Sequence, residues 1–184
     1  WLVVGYPKRS RITVPVWAGP LGEGSAKLLL DSPLRQRIVK HVLGGKAAVW
    51  ILVESGDKEK DGAAAKLLET HLGKLEKTLE IPEPAGSDTG FELVNPDEVK
   101  KTVVKERPSF ALERISRSDP AEAFFLRVLL RSESDLEEAS ASEPLAFPVF
   151  GRGRILYALV GKGITEENIE EACQYLVGMC SCEF

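Results

Sequence analysis

Two cysteines separated by one residue, Cys180 and Cys182, are the residues whose type and spacing could carry reactive chemistry in this chain. A disulfide between such close cysteines closes a strained ring, which favours its reduction and suits thiol–disulfide exchange. The same two thiolates could bind a soft ion such as Cu(I), or supply part of the ligand set of a zinc site. The alternatives are two unreactive thiols near a chain end, or a disulfide to a segment outside this chain. The sequence leaves all four interpretations open.

The other residues of catalytic or ligand type point to structural roles. Cys173 falls on the apolar stripe of a helix and is predicted to lie in the core. His71 falls on the apolar face of one helix and His41 lies near the end of another, so the sequence predicts no histidine metal site. The glycines of 151–154 and 161–163 lack the spacing of a phosphate-binding loop and are typical of turns. We therefore expect no cofactor.

The charge balance and hydropathy exclude two classes of partner. The chain has 184 residues, 24 of them basic and 28 acidic, which gives a net charge of −4. A weakly acidic chain of mixed sign has no general attraction for nucleic acid, so no nucleic-acid partner is expected. No apolar run approaches the roughly 20 residues that span a bilayer, so no membrane span is expected. The compartment stays open between the cytoplasm and export with a leader removed.

Apolar periodicity and capping residues predict alternating strands and helices. Residues 1–7 and the apolar run 47–53 are predicted as strands of a parallel unit, since a run apolar on both faces is typical of a buried parallel strand. Ser32 predicts a helix start, and Asp119 with Glu122 predicts a capping box at another. Further helices are predicted over about 61–79 and after Thr165, and further strands at Ser109–Ile115, Leu145–Phe150 and Ile155–Val160.

The order of these elements resembles a thioredoxin, as does the segment from Phe147-Pro148 through a glycine turn to the last capped helix. The resemblance implies a thioredoxin-like α/β/α sandwich of the α/β class, with a mixed central sheet. In that family the proline that opens the hairpin is cis and lies beside the redox cysteines. Pro148 takes that position by resemblance, and Phe147 would present main-chain groups to an extended peptide. The implied organisation is a single domain over 1–184, with core segments at about 1–80 and 145–178, a mid-chain insertion at about 81–144 and a tail at 179–184.

A second point of resemblance is Trp17-Ala-Gly-Pro-Leu21, where a thioredoxin would have Trp-Cys-Gly-Pro-Cys. Thioredoxin chemistry needs a thiolate at a helix start and a second thiol that resolves the mixed disulfide. Ala18 and Leu21 can do neither. The resemblance therefore implies a fold without that fold's usual redox activity.

The main hypothesis is thus a redox-inactive binding module with an unidentified protein or peptide partner, and enzyme activity is left open. Its predicted binding residues are Phe147, Pro148, Trp17 and Pro20. The alternative is a thiol–disulfide or metal-handling protein that uses Cys180-Ser181-Cys182. A third hypothesis is assembly into homo-oligomers through an apolar helix face at Phe124–Leu129, which requires that face to be exposed in the monomer.

Overall fold

The computed structural model describes residues 1–6, 15–81, 107–133, 136 and 142–178. Over these residues the chain is a mixed α/β structure, which confirms the predicted fold class at that level. The strands are β1 (Leu2–Val4), β2 (Trp17–Gly19), β3 (Ala48–Glu54), β4 (Phe110–Ser116), β5 (Leu145–Phe150), β6 (Arg154–Ile155) and β7 (Leu159–Val160). The helices are α1 (Glu23–Leu30), α2 (Pro33–Leu43), α3 (Lys58–Thr78), α4 (Ala123–Leu130) and α5 (Glu166–Val177). None of the helices within these ranges is long and apolar enough to cross a bilayer.

Strand β3 is the centre of the main sheet, as its continuous apolar sequence predicts. It pairs in parallel with β4 on one side and antiparallel with β5 on the other. The short strands β6 and β7 both pair antiparallel with β5. Every side chain of β3 from Ala48 to Val53 is buried, because helices cover both faces of the sheet.

The two faces of β3 carry two separate cores, because successive side chains of a strand point to opposite sides. Trp50 packs on the face covered by α3 and α5, while Ile51 packs on the face covered by α2 and α4. Leu126 and Leu129 of α4 are buried in the second core. The exposed apolar face that the assembly hypothesis requires on this helix is therefore not formed by these two residues.

The predicted place of residues 1–7 in a parallel unit with the strand at 47–53 is wrong. Strand β1 pairs antiparallel with β2 in a separate two-stranded sheet and does not join β3. An antiparallel pair such as β1–β2 needs no crossover helix, whereas a parallel pair needs a crossover connection, usually an α-helix. Helix α3 provides that crossover, and it leads from β3 to β4.

The parallel neighbour of β3 therefore comes from the segment predicted as an insertion. Strand β4 pairs with β3 along its full length, from Ala48↔Phe110 to Glu54↔Ser116. The predicted strand Ser109–Ile115 is confirmed within one residue at each end. What the sequence missed is its place in the main sheet, since local alternation does not say which partner a strand will take.

Three predicted helix caps are confirmed, and one predicted cap partner is wrong. Ser32 and Thr165 each accept a main-chain N–H in the first turn of the following helix, and Asp119 accepts that of Ala121 in the short 3₁₀ turn Pro120–Glu122 that leads into α4. Glu122 does not complete a capping box with Asp119. Its Oε1 instead accepts the N–H of Leu34 at 2.6 Å, at the start of α2. This buried carboxylate therefore joins the starts of two helices that are distant in the chain.

Candidate functional site

The two residues predicted to contact a peptide, Phe147 and Pro148, lie inside the main sheet. Both side chains are fully buried, and they pair with Ile51 and Trp50 of β3. The carbonyl of Pro148 accepts the N–H of Leu156, so β5 has neighbours on both sides. The described residues contain no cis peptide bond, so Pro148 departs from the cis geometry that the resemblance implies. A peptide has no access to an open strand edge at these positions.

The other two predicted binding residues, Trp17 and Pro20, belong to the separate N-terminal sheet or border it. Trp17 pairs with Val4 in the β1–β2 sheet, and Pro20 follows β2 and is exposed. The indole of Trp17 lies over Gly19, where any Cβ would come within 2.5 Å of the ring. The structure thus explains the glycine by packing beneath the ring, and it puts these residues in a different sheet from Phe147 and Pro148.

Cys180 and Cys182 lie outside the described residues, so their chemistry stays a prediction. Cys173 is buried against Trp50 in the core between the sheet and α5, as predicted. Burial raises the pKa of the Cys173 thiol to about 12, and the Trp50 indole lowers it by a smaller amount. Among the described residues, no group of three or more His, Cys, Asp or Glu side chains is placed to bind a metal ion.

We expect Cys173 to be the slow thiol in a titration of the native protein. Only the thiolate reacts, and at pH 8 a pKa of about 12 instead of 9.0 lowers the thiolate fraction about a thousandfold. A disulfide reagent should therefore modify Cys173 last, with unfolded protein as the control in which all three cysteines react. Mass spectrometry of the partly modified protein identifies the modified thiols, and early modification of Cys173 would contradict its burial.

The start of α3 contains a cluster of polar side chains that the sequence did not predict. The helix was expected from about residue 61 but begins at Lys58, with Asp57 as its cap. Asp57 accepts the N–H groups of Glu59 and Lys60 at 2.9 and 3.2 Å. The sequence signal was a Ser-Gly-Asp turn directly after the buried strand β3.

Asp61, one turn into α3, is buried and accepts three hydrogen bonds from the preceding loop. Its Oδ1 accepts the N–H and the hydroxyl of Ser55 at 2.7 and 2.8 Å, and its Oδ2 accepts the N–H of Gly56 at 2.9 Å. Gly56 has a φ of +97°, which favours glycine. Asp61 thus occupies the N–H groups of Ser55 and Gly56, and the Ser55 hydroxyl accepts the N–H of Asp57.

Charged side chains from neighbouring loops complete this end of the sheet. Lys60 forms an ion pair with Glu143, and that hydrogen bond raises the pKa of Lys60. Arg117 donates to the main-chain carbonyls of Glu54 and Glu143 at 3.2 and 2.6 Å. The cluster fastens the loops after β3 and β4 to the loop before β5. It contains ion pairs and caps, but among the described residues it presents no thiol nucleophile.

The outer edge of β4 is the second candidate site, and hydrogen-bond alternation fixes which main-chain groups face it. Pro148 bonds toward β6, so its strand neighbours Phe147 and Val149 bond toward β3. Trp50 and Leu52, which lie opposite Leu112 and Arg114, then bond toward β4. In a parallel pair these bonds go to the residues before and after the direct partner, so Leu112 and Arg114 themselves point their main-chain groups away from β3. The outward residues of β4 are consequently Phe110, Leu112, Arg114 and Ser116.

The ends of this edge are closed, whereas its middle is open. The outward N–H of Phe110 donates to Glu76 of α3 at 2.7 Å, and the carbonyl of Ser116 accepts the N–H of Asp119. Over the described ranges, no protein group bonds the outward N–H and C=O groups of Leu112 and Arg114. The edge therefore presents unpaired donors and acceptors in the spacing that another strand would match.

Glu113, between these two residues, points to the face covered by α2. Its carboxylate binds Arg37 Nε at 2.7 Å and His41 Nε2 at 2.9 Å. His41 was expected near the end of its helix, and the pairing with Glu113 is a contact that only the fold reveals. The middle of the β4 edge thus carries one carboxylate between two basic side chains.

Comparison with known proteins adds no relative: no protein-family model, curated protein or solved structure matches this chain.

Proposed function

We propose that this protein is a non-catalytic interaction module that binds an extended polypeptide segment by strand addition at the outer edge of β4. The observation that carries the proposal is the pair of residues Leu112 and Arg114, whose outward main-chain groups have no partner among the described residues. Strand addition uses such groups for affinity and the alternating side chains for specificity. The other side of the sheet is a poorer template, since β6 and β7 are two residues each and interrupted.

We further propose that the thioredoxin-like arrangement begins at β3. The order β3, α3, β4, α4, β5, then the short strands β6 and β7 that both pair with β5, and α5 matches the strand–helix–strand–helix–hairpin–helix order of that family. In this assignment the N-terminal sheet, α1 and α2 are additions before the arrangement. The parallel β3–β4 pair, the antiparallel β5 and helices on both faces support it.

The same assignment moves the family's reactive position from Trp17–Leu21 to the start of α3. Ser55-Gly56-Asp57-Lys58 contains no cysteine. Asp61 accepts the N–H groups of Ser55 and Gly56, the Ser55 hydroxyl accepts that of Asp57, and Asp57 in turn accepts those of Glu59 and Lys60. A thiolate at a helix start is stabilised by free N–H groups and the helix dipole. A helix start that lacks a cysteine and whose N–H groups are largely occupied by the protein's own side chains supports a module that binds without catalysing thiol exchange.

The alternative function at Cys180 and Cys182 stays a prediction, because both residues lie outside the described ranges. It requires that Cys180→Ser abolish a disulfide-exchange or metal-binding activity. Indifference to that change would leave the β4 edge as the functional surface.

The test selects random peptides displayed on phage against the immobilised full chain and maps bound peptides by amide hydrogen exchange. We expect slowed exchange at the Leu112 and Arg114 amides. Arg114→Pro should weaken peptide binding at least about tenfold relative to Arg114→Ala. Both variants lose the side chain that pairs with Glu54, and only the proline loses the outward N–H. Equal binding by the two variants, or selected peptides that protect another surface, would overturn the proposal.

A further inference from the structure

We infer that one occupant of the β4 edge is a second copy of this chain, paired antiparallel through a two-fold axis at Glu113. This inference rests on the proposed function, because it names the partner of the same strand edge. In such a pairing, Leu112 of one copy lies opposite Arg114 of the other, and Phe110 lies opposite Ser116. The two central β-sheets would then join into one continuous sheet.

The hydrogen-bond pattern of the edge is self-complementary about this axis. Opposed residues in the narrow pairs of an antiparallel ladder exchange both of their bonds. In Leu112 and in Arg114, both the outward N–H and the outward C=O are unpaired within the described residues. Leu112 of one copy and Arg114 of the other can therefore form both hydrogen bonds of their pair. At the ends, the N–H of Ser116 would donate to the carbonyl of Phe110 in the other copy.

At the ends of the edge, two groups already form hydrogen bonds within one copy, and in the symmetric pairing these two groups would have bonded to each other. The Phe110 N–H is held by Glu76, and the Ser116 carbonyl is held by Asp119. Both belong to the same Phe110–Ser116 bond of the symmetric pairing. The two-fold register therefore uses every open group and breaks no bond within either copy. A register moved by two residues would set an occupied group against an open one.

Charge supports the same register. The axis brings the two Glu113 side chains opposite each other, an arrangement that is unfavourable for bare carboxylates. Here each carboxylate already binds Arg37 and His41, so the pair of acids is surrounded by basic side chains from both copies. Arg37 is 47% exposed and can reach across the axis toward the second carboxylate.

Sedimentation equilibrium of the full chain over a range of concentrations tests the inference. We expect a dimer whose dissociation constant rises about thirtyfold in Arg114→Pro relative to Arg114→Ala, since the proline removes one donor from each copy. Circular dichroism establishes that both variants are folded. A wild-type chain that is monomeric at all concentrations, or a dimer equally stable in both variants, overturns the inference.

A crosslink tests the register without a proline. In a Cys180→Ser, Cys182→Ser background, Glu113→Cys should form a disulfide between copies, because residues at the axis face each other at disulfide distance. Ser116→Cys, opposite Phe110, is the matched position that should not. Crosslinking at 116 instead of 113 overturns the register.

The outcomes separate this inference from the proposed function. A monomer that still binds selected peptides at Leu112 and Arg114 overturns only the second copy as occupant. A monomer whose Leu112 and Arg114 amides are already protected without any peptide has its edge covered from within the chain, and that result overturns both.

Discussion

Asp61→Ala is expected to lower the free energy of unfolding by about 3 kcal/mol, since it leaves donors of the Ser55–Gly56 loop without their acceptor. Asp61 is 4% exposed and accepts the N–H groups of both residues. Hydrogen bonds to a charged acceptor contribute more than neutral ones, and Asp61 accepts three. Ser55 is half-buried, so its N–H keeps part of its desolvation penalty when the acceptor is lost, whereas the N–H of the exposed Gly56 can bond to water. Chemical denaturation of the wild-type chain and of the Asp61→Ala variant measures the difference in their free energies of unfolding.

Asp57→Ala is the matched control, because it removes a carboxylate from the same helix start at an exposed position. We expect it to cost about 1 kcal/mol, as is typical for loss of an N-cap. The change in net charge is the same in both variants, so the comparison isolates burial. Equal costs for the two substitutions would show that water replaces Asp61 and that this loop is not held by its carboxylate.

Glu122→Ala is expected to lower the free energy of unfolding by about 2 kcal/mol through the loss of the acceptor for Leu34 N–H. Glu122 is 3% exposed, and its bond to Leu34 joins the start of α2 to the turn before α4. The loss is partly offset, because Oε2 of this carboxylate is buried without a hydrogen-bond partner among the described residues. Denaturant titration measures the net effect.

Glu122→Gln separates the acceptor from the charge. Glutamine keeps an oxygen for Leu34 N–H and removes the charge, so we expect it to recover most of the stability lost in the alanine variant. Ser32→Ala, which removes the local cap of the same helix, should cost about 1 kcal/mol. If glutamine were as destabilising as alanine, the carboxylate charge and not its acceptor role would be what holds α2.

The features that the sequence predicts well are local. Ser32, Asp119 and Thr165 cap helices as expected, because a cap depends on residues within one turn. The burial of β3 follows from its unbroken apolar run, and the burial of Cys173 follows from its place on a helix stripe. In each case the physical cause lies within a few residues of its effect.

The candidate sites could not be predicted in this way, because they depend on pairings between distant segments. Phe147 and Pro148 resemble an exposed peptide-binding hairpin in sequence, yet β3 and β6 flank the strand that contains them. Glu122 has the spacing of a capping box, but in the fold its carboxylate accepts the N–H of Leu34 instead. Glu113 meets Arg37 and His41 only after β4 is placed beside β3.

By itself, the sequence determined the α/β class, the caps at Ser32, Asp119 and Thr165, and the central strand β3. Only the tertiary structure decided which strand lies beside β3, and with it which strand keeps an open edge at Leu112 and Arg114. The physical reason is that a strand's alternation fixes its two faces, while its hydrogen-bonding edges are the same in every sequence. Those edges acquire a role only when the fold pairs some of them and leaves another open.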